Sequence, residues 1–143
     1  MFTRTATARY EGFGKDGKGQ VSTQSGVLSN SPYAFSTRFG EESGTNPEEL
    51  IAAAHAACFT MALSFALARA GFSAGTLETK AAVKLEKEGE GFKVSRSDLT
   101  LEASLEGIEP ARFAEIAQDA KANCPISKPV SYTHLTLPTI LRV

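Results

Sequence analysis

The stretch Thr45 to Gly71 reads TNPEELIAAAHAACFTMALSFALARAG and carries no formal charge from Leu50 to Ala68. That run is 19 residues long and eight of them are Ala. It is long enough to raise the question of a membrane span. His55, Thr60 and Ser64 lie inside it and strand-like segments flank it, so a close-packed core helix is the better reading. Its ends carry helix signals. Asn46 suits the N-cap, Pro47 the first helical position, and Glu49 stands where a capping box needs an acid. Gly71 follows the last apolar turn, where a left-handed cap ends a helix. A helix apolar nearly all round is expected to be buried on most sides.

The rest of the chain alternates. Thr3 to Tyr10 and Gln20 to Ser25 read as strands, joined through Gly12, Gly14, Gly17 and Gly19. That glycine-rich turn lacks the Gly-Lys-Ser/Thr ending of a phosphate loop and no helix follows it, so it reads as a hairpin turn. Tyr33 to Phe39 is expected to be a third strand, with Arg38 on the face opposite Tyr33, Phe35, Thr37 and Phe39. After Gly71, Thr76 to Glu88 and Phe92 to Leu105 are strand patterns about a turn at Gly89 and Gly91. Leu99, Leu101, Ala103 and Leu105 share one face. Pro110 to Asn123 is a second helix with Phe113, Ile116, Ala117 and Ala120 as its apolar stripe. Strand runs either side of single long helices predict an α+β fold, βββ-α-ββ-α, with a further strand drawn from Ser131 to Leu137. At 143 residues one domain with a single core is expected.

Charge excludes some functions. A net charge of −1 gives no electrostatic case for nucleic acid or an anionic membrane. The start MFTRTATARY lacks the apolar core of a signal peptide, which points to a cytoplasmic protein. The two cysteines are too few for a disulfide framework.

Cys58 sits mid-helix and Cys124 at a helix end before Pro125, 66 positions away. They read either as two buried thiols or as a redox pair in which one attacks and the other resolves. A reactive thiolate needs a cation nearby, and Arg38 is the candidate, with Glu48 free to orient it because Glu49 has a capping role. Glu48 and Cys58 are ten residues apart, about 15 Å along one straight helix. If both serve one site, the helix breaks or Glu48 comes from a second subunit, which predicts a symmetric dimer. A zinc site built from His55, Cys58, Cys124 and His134 is a further reading. It lacks a Cys-x-x-Cys pair, and a lone His in an Ala-rich helix is more often a hydrogen-bonded core residue.

VSTQSGVL, PYAFSTRF, GTNPEELIAAAHAACFTMAL and NCPIS together resemble the OsmC/Ohr family, closest to its OsmC branch, over residues 3 to 128. The resemblance implies an intertwined α+β homodimer with long buried central helices and active sites at the interface. It also implies a thiol peroxidase that reduces organic hydroperoxides, and hydrogen peroxide more weakly, in oxidative and osmotic stress defence. Cys58 would then be the peroxidatic thiol and Cys124 the resolving thiol, with Arg38 and Glu48 as the activating ion pair. No metal or organic cofactor is implied; an external dithiol, dihydrolipoamide in the Ohr branch, recycles the enzyme. Phe39, Phe59 and Met61 are candidates for an apolar wall. A non-catalytic dimer binding a small apolar ligand is the alternative. The domain is expected over 1–128. Residues 129–143 form an atypical tail, and SYTHLTLPTILRV looks like sequence joined on from elsewhere.

Overall fold

The computed structural model describes residues 1–127 and 133–136. The chain divides into two compact units, Met1–Leu50 and Ile51–Val143.

The first unit is a three-stranded antiparallel sheet followed by a short helix. Strands β1 (Ala6–Glu11), β2 (Lys18–Thr23) and β3 (Ser31–Tyr33) lie side by side in sequence order. Gly12 and Gly14 turn the first hairpin with positive φ, around a single 3-10 turn at Gly14–Asp16. Gly19 has a different task. It pairs with Tyr33 across the sheet, and a Cβ there would stand 2.5 Å from the Tyr33 ring. The missing side chain makes room for an aromatic one.

The third strand expected through Phe39 ends at Tyr33. Phe35–Phe39 is instead one helical turn, α1. Thr37 decides this locally. Its hydroxyl accepts the Ala34 N–H at 2.8 Å and donates to the Thr45 carbonyl at 2.8 Å. Side-chain capping of this kind competes with a sheet ladder. Phe35 and Phe39 then meet at helical spacing, their ring centroids 5.0 Å apart.

The long helix α2 spans Pro47–Arg69 without interruption. Asn46 caps it, its side-chain oxygen accepting the Glu49 N–H at 2.8 Å. The Glu49 carboxylate accepts the Thr45 hydroxyl at 2.8 Å. At the other end Phe72 N–H reaches the Leu67 carbonyl at 3.0 Å and Gly71 N–H the Ala68 carbonyl at 3.1 Å. With Gly71 at φ +97°, this is a Schellman ending.

In the second unit, β4 (Thr76–Glu88) and β5 (Gly91–Ser104) form a long antiparallel hairpin, with a register shift between Lys84 and Leu85. Strand β6 (Thr133–Thr136) adds to β5 in parallel. It is the described part of the strand expected from Ser131 to Leu137, and the remainder lies outside the described residues. Helix α3 spans Pro110–Asn123. The core draws Phe59, Leu63 and Leu67 from α2, Leu99 and Leu101 from β5, and Phe113, Ala117 and Ala120 from α3. Phe59 is therefore a core residue rather than part of a pocket wall.

Only one stripe of α2, His55, Phe59, Leu63 and Leu67, is buried within the chain. Ala54, Ala57, Met61, Phe65 and Ala68 are exposed, so the expected burial on most sides is not met inside one chain. By length and composition α2 would suffice to cross a membrane, but its buried stripe belongs to the core.

Candidate active site

Two constellations emerge, one in each unit. In the first, α1 is tied to the start of α2. Beside the Thr37 to Thr45 bond, the Asn46 amide reaches the Thr37 carbonyl at 3.4 Å. That clamp brings the next residue, Arg38, onto Glu48. Arg38 Nε and Nη2 both donate to Glu48 Oε1, at 2.8 and 2.5 Å. The guanidinium also lies 5.2 Å from the Phe39 ring centroid. A concave surface of about 400 Å³ surrounds it, lined by Tyr10, Tyr33, Phe35, Arg38 and Phe39 among others. Arg38 thus sits on a helix, not the strand its alternating neighbours suggested.

In the second unit, Cys58 of α2 and Cys124 meet. Their Sγ atoms are 2.9 Å apart, and both thiols are free. Cys58 projects from the fourth turn of α2, next to the buried Phe59. Cys124 caps α3 with extended backbone (φ −64°, ψ 121°), as the following proline requires. The chain turns immediately, Ser127 N–H bonding the Cys124 carbonyl at 3.0 Å with Pro125 in the favoured second position. This turn sets Ile126 and Ser127 beside the thiols, where their hydrogen-bonding groups favour the Cys124 thiolate.

The two thiols differ in burial and in acidity. Cys124 is fully buried, while Cys58 is partly exposed. Burial, and then the neighbouring Cys124, push the Cys58 thiol up. Burial also pushes Cys124 up, but hydrogen bonds from Cys58, Ser127 and Ile126 outweigh it and hold that thiol below its ordinary value.

His55 is the hydrogen-bonded core residue that an isolated histidine on an Ala-rich helix suggested. Its Nδ1 lies 2.7 Å from Ser97 Oγ and its Nε2 lies 2.8 Å from Ser127 Oγ. Both ring nitrogens are engaged by hydroxyls, so neither offers a lone pair to a metal. Among the described residues no group of three or more His, Cys, Asp or Glu is placed to hold an ion. The side chain of His134 lies outside the described residues.

Ser97 and Ser127 were not singled out from the sequence. Ser97 had a signal: it shares the inward parity of Leu99, Leu101 and Ala103, so it is a polar residue on an apolar face.

The α+β scaffold thus brings two free thiols together at a helix end. The sequence model of the OsmC-like protein family matches residues 40–136. Peroxiredoxin OsmC of Escherichia coli K12 is 53% identical over 121 residues, 85% of each chain. Organic hydroperoxide resistance protein OhrB of Bacillus subtilis is 28% identical over 130 residues, 90% of this chain and 89% of that one. The crystal structure of OhrB superposes with a TM-score of 0.70, covering 97% of this chain and 98% of that one. An organic hydroperoxide resistance protein from Elizabethkingia anophelis, with bound thiocyanate, gives 0.75 at 25% identity, covering 99% and 98%. The chain belongs to the OsmC-like family.

Proposed function

We propose that this protein is a two-cysteine peroxidase that reduces organic hydroperoxides, and hydrogen peroxide more weakly, in defence against oxidative and osmotic stress. The observation that carries this reading is the 2.9 Å approach of Cys58 and Cys124 Sγ. A disulfide needs about 2.05 Å, so small side-chain movement closes it. The peroxidase and hydroperoxide-resistance names of the relatives support the same reading.

Cys58, the more accessible thiol, attacks first. Its thiolate attacks the distal peroxide oxygen, an S–O bond forms as the O–O bond breaks, and the departing alkoxide takes a proton to become an alcohol. Cys58 is left as a sulfenic acid. Cys124 thiolate attacks that sulfur, the S–O bond breaks as the disulfide forms, and the departing hydroxide takes a proton to leave as water. An external dithiol, dihydrolipoamide or a protein, restores both thiols by exchange and is itself oxidised to a disulfide.

Cys58 needs a cation, because within its own unit burial keeps it protonated. Arg38 supplies it in this reading. Two of its five N–H donors go to Glu48, which leaves others to hold the peroxide and the developing alkoxide charge. Helix α2 is unbroken, so Glu48 and Cys58 of one chain are about 15 Å apart along its axis. The Arg38–Glu48 pair therefore serves the Cys58 of a partner in a symmetric homodimer. The exposed apolar face of α2 supports that dimer. In this reading Phe39 and Met61 contribute to an apolar wall that favours alkyl hydroperoxides.

The test is stoichiometric. Reduced protein receives one equivalent of cumene hydroperoxide, and free thiols are counted against peroxide consumed. Loss of two thiols per chain, prevented by Cys58→Ser, is expected. No thiol loss from a folded dimer would overturn the reading in favour of a non-catalytic binder of apolar ligands.

A further inference from the structure

We propose that His55 is a positioning residue for Cys124: through Ser127 it directs a hydroxyl proton at the Cys124 sulfur and holds that sulfur against Cys58. The proposal rests on the two-cysteine reading above and assigns a task to a buried titratable group that the mechanism leaves idle.

The argument starts from donor counting. Ser127 has one hydroxyl proton and stands between His55 Nε2, 2.8 Å from its oxygen, and Cys124, whose carbonyl accepts its N–H at 3.0 Å. If the proton points at the sulfur, the Ser127 oxygen must accept from His55, so Nε2 carries the ring proton. Nδ1 then accepts, and its partner at 2.7 Å, the Ser97 hydroxyl, must donate. One direction satisfies every group: Ser97 O–H to Nδ1, Nε2–H to Ser127 Oγ, Ser127 O–H to Cys124 Sγ. The reverse direction turns the Ser127 proton away from the sulfur.

Burial makes this choice binding. His55 and Ser97 are fully buried and Ser127 is nearly so. A buried polar group without a partner costs about 1–3 kcal/mol, so rotation of one hydroxyl away from the chain is penalised along its whole length. Burial also holds His55 below its ordinary value and so keeps it neutral near pH 7, the state this pattern requires.

Position matters as much as charge. Cys124 stands at the C-terminal end of α3, where the helix dipole disfavours an anion. The turn 124–127 offsets this by presenting the Ile126 and Ser127 N–H groups and the Ser127 hydroxyl. His55 anchors that turn from α2, three residues before Cys58, on the same helix that carries the thiol to be resolved. Among the described residues, the titratable groups facing Cys124 are Cys58 directly and His55 through Ser127.

Two measurements test this. In the intact reduced protein, ¹⁵N NMR of the histidine rings is expected to find His55 as the Nε2–H tautomer, with Nδ1 accepting. The Nδ1–H tautomer would overturn the proposal without any variant. In Cys58→Ser protein, thiolate absorbance at 240 nm titrates Cys124 alone. Ser127→Ala and His55→Leu are each expected to raise its midpoint by about one unit, a tenfold loss of thiolate at fixed pH. Ser127→Thr and His55→Gln, which keep a hydroxyl and an N–H donor, are expected to restore it. A midpoint unmoved in folded Ser127→Ala or His55→Leu protein would reduce the network to a packing role and overturn the proposal. Neither measurement uses peroxide. If the peroxidase reading fails while tautomer and titration hold, the network stands and only its use is lost.

Discussion

Cys58 and Cys124 are 66 positions apart in the chain, yet their sulfurs lie 2.9 Å from one another. Packing brings this about. Phe59 and Leu63 of α2 share one core with Phe113, Ala117 and Ala120 of α3. Once those faces are packed, the residue beside Phe59 and the residue ending α3 have to meet. The pair is also unequal, since Cys58 is partly exposed and Cys124 is fully buried. In the proposed mechanism peroxide reaches Cys58, and Cys124 waits behind it.

That asymmetry separates the two serine variants. Cys58→Ser is expected to abolish peroxide consumption altogether. Cys124→Ser is expected to consume one equivalent and stop as a sulfenic acid, trapped by dimedone and seen by mass spectrometry on the Cys58 peptide. Dimedone on Cys124 in the Cys58→Ser protein, with continued peroxide loss, would reverse the assigned roles.

Much of this was legible in the sequence, and the part that was not has a physical reason. Strand β4 and helix α3 run as their patterns predict, because period and capping agree there. The α2 ends follow Asn46 and Gly71 for the same reason. The alternating pattern puts Arg38 on a strand, whereas it lies on a helical turn. Over four or five residues alternation cannot outvote one hydroxyl, and Thr37 closes a helical turn there. The His55–Ser97–Ser127 network joins His55 to residues 42 and 72 positions away. No local pattern encodes such a meeting; the one available trace was the inward-facing Ser97.

Burial of neutral His55 makes stability depend on pH. Its folded value lies below the ordinary 6.5 of an unfolded histidine. Between the two, the unfolded chain binds the extra proton, so stability rises with pH. The contribution is complete above about pH 6.5 and is lost as pH falls toward the folded value. Stability is expected to drop by up to about 1.4 kcal/mol per unit in that window. His55→Gln should flatten this segment of a urea-denaturation series run from pH 7 to 5. An equal slope in both proteins would remove His55 as the cause.

The two faces of α2 predict opposite behaviours for near neighbours. Leu63 is fully buried in the core, and Leu63→Ala is expected to cost about 2–5 kcal/mol. Phe65 is 59% exposed within the chain. Phe65→Glu is therefore expected to act on the proposed dimer, where it would place a charge in an apolar interface. Light scattering should find the mass falling toward one chain, with a concentration-dependent thermal midpoint. A Phe65→Glu protein that stays dimeric with an unchanged midpoint would place the partner elsewhere.

The sharing of the site between subunits has its own test. Arg38 and Cys58 act together, in the proposed arrangement, only across the dimer. Arg38→Ala and Cys58→Ser homodimers should each be nearly inactive. Two differently tagged chains, one carrying each change, are co-refolded and the mixed dimer isolated. One of its sites then lacks both Arg38 and Cys58, and the other retains both. Activity is expected to return to about half per mixed dimer, or about a quarter in an unsorted mixture at random pairing. If the two residues worked within one chain, each site of the mixed dimer would lack one of them, and no activity would return. Glu48→Gln in place of Arg38→Ala should complement Cys58→Ser in the same way, because Glu48 shares a chain with the arginine it orients. Recovery with Arg38→Ala but not with Glu48→Gln would separate the orienting carboxylate from the pair.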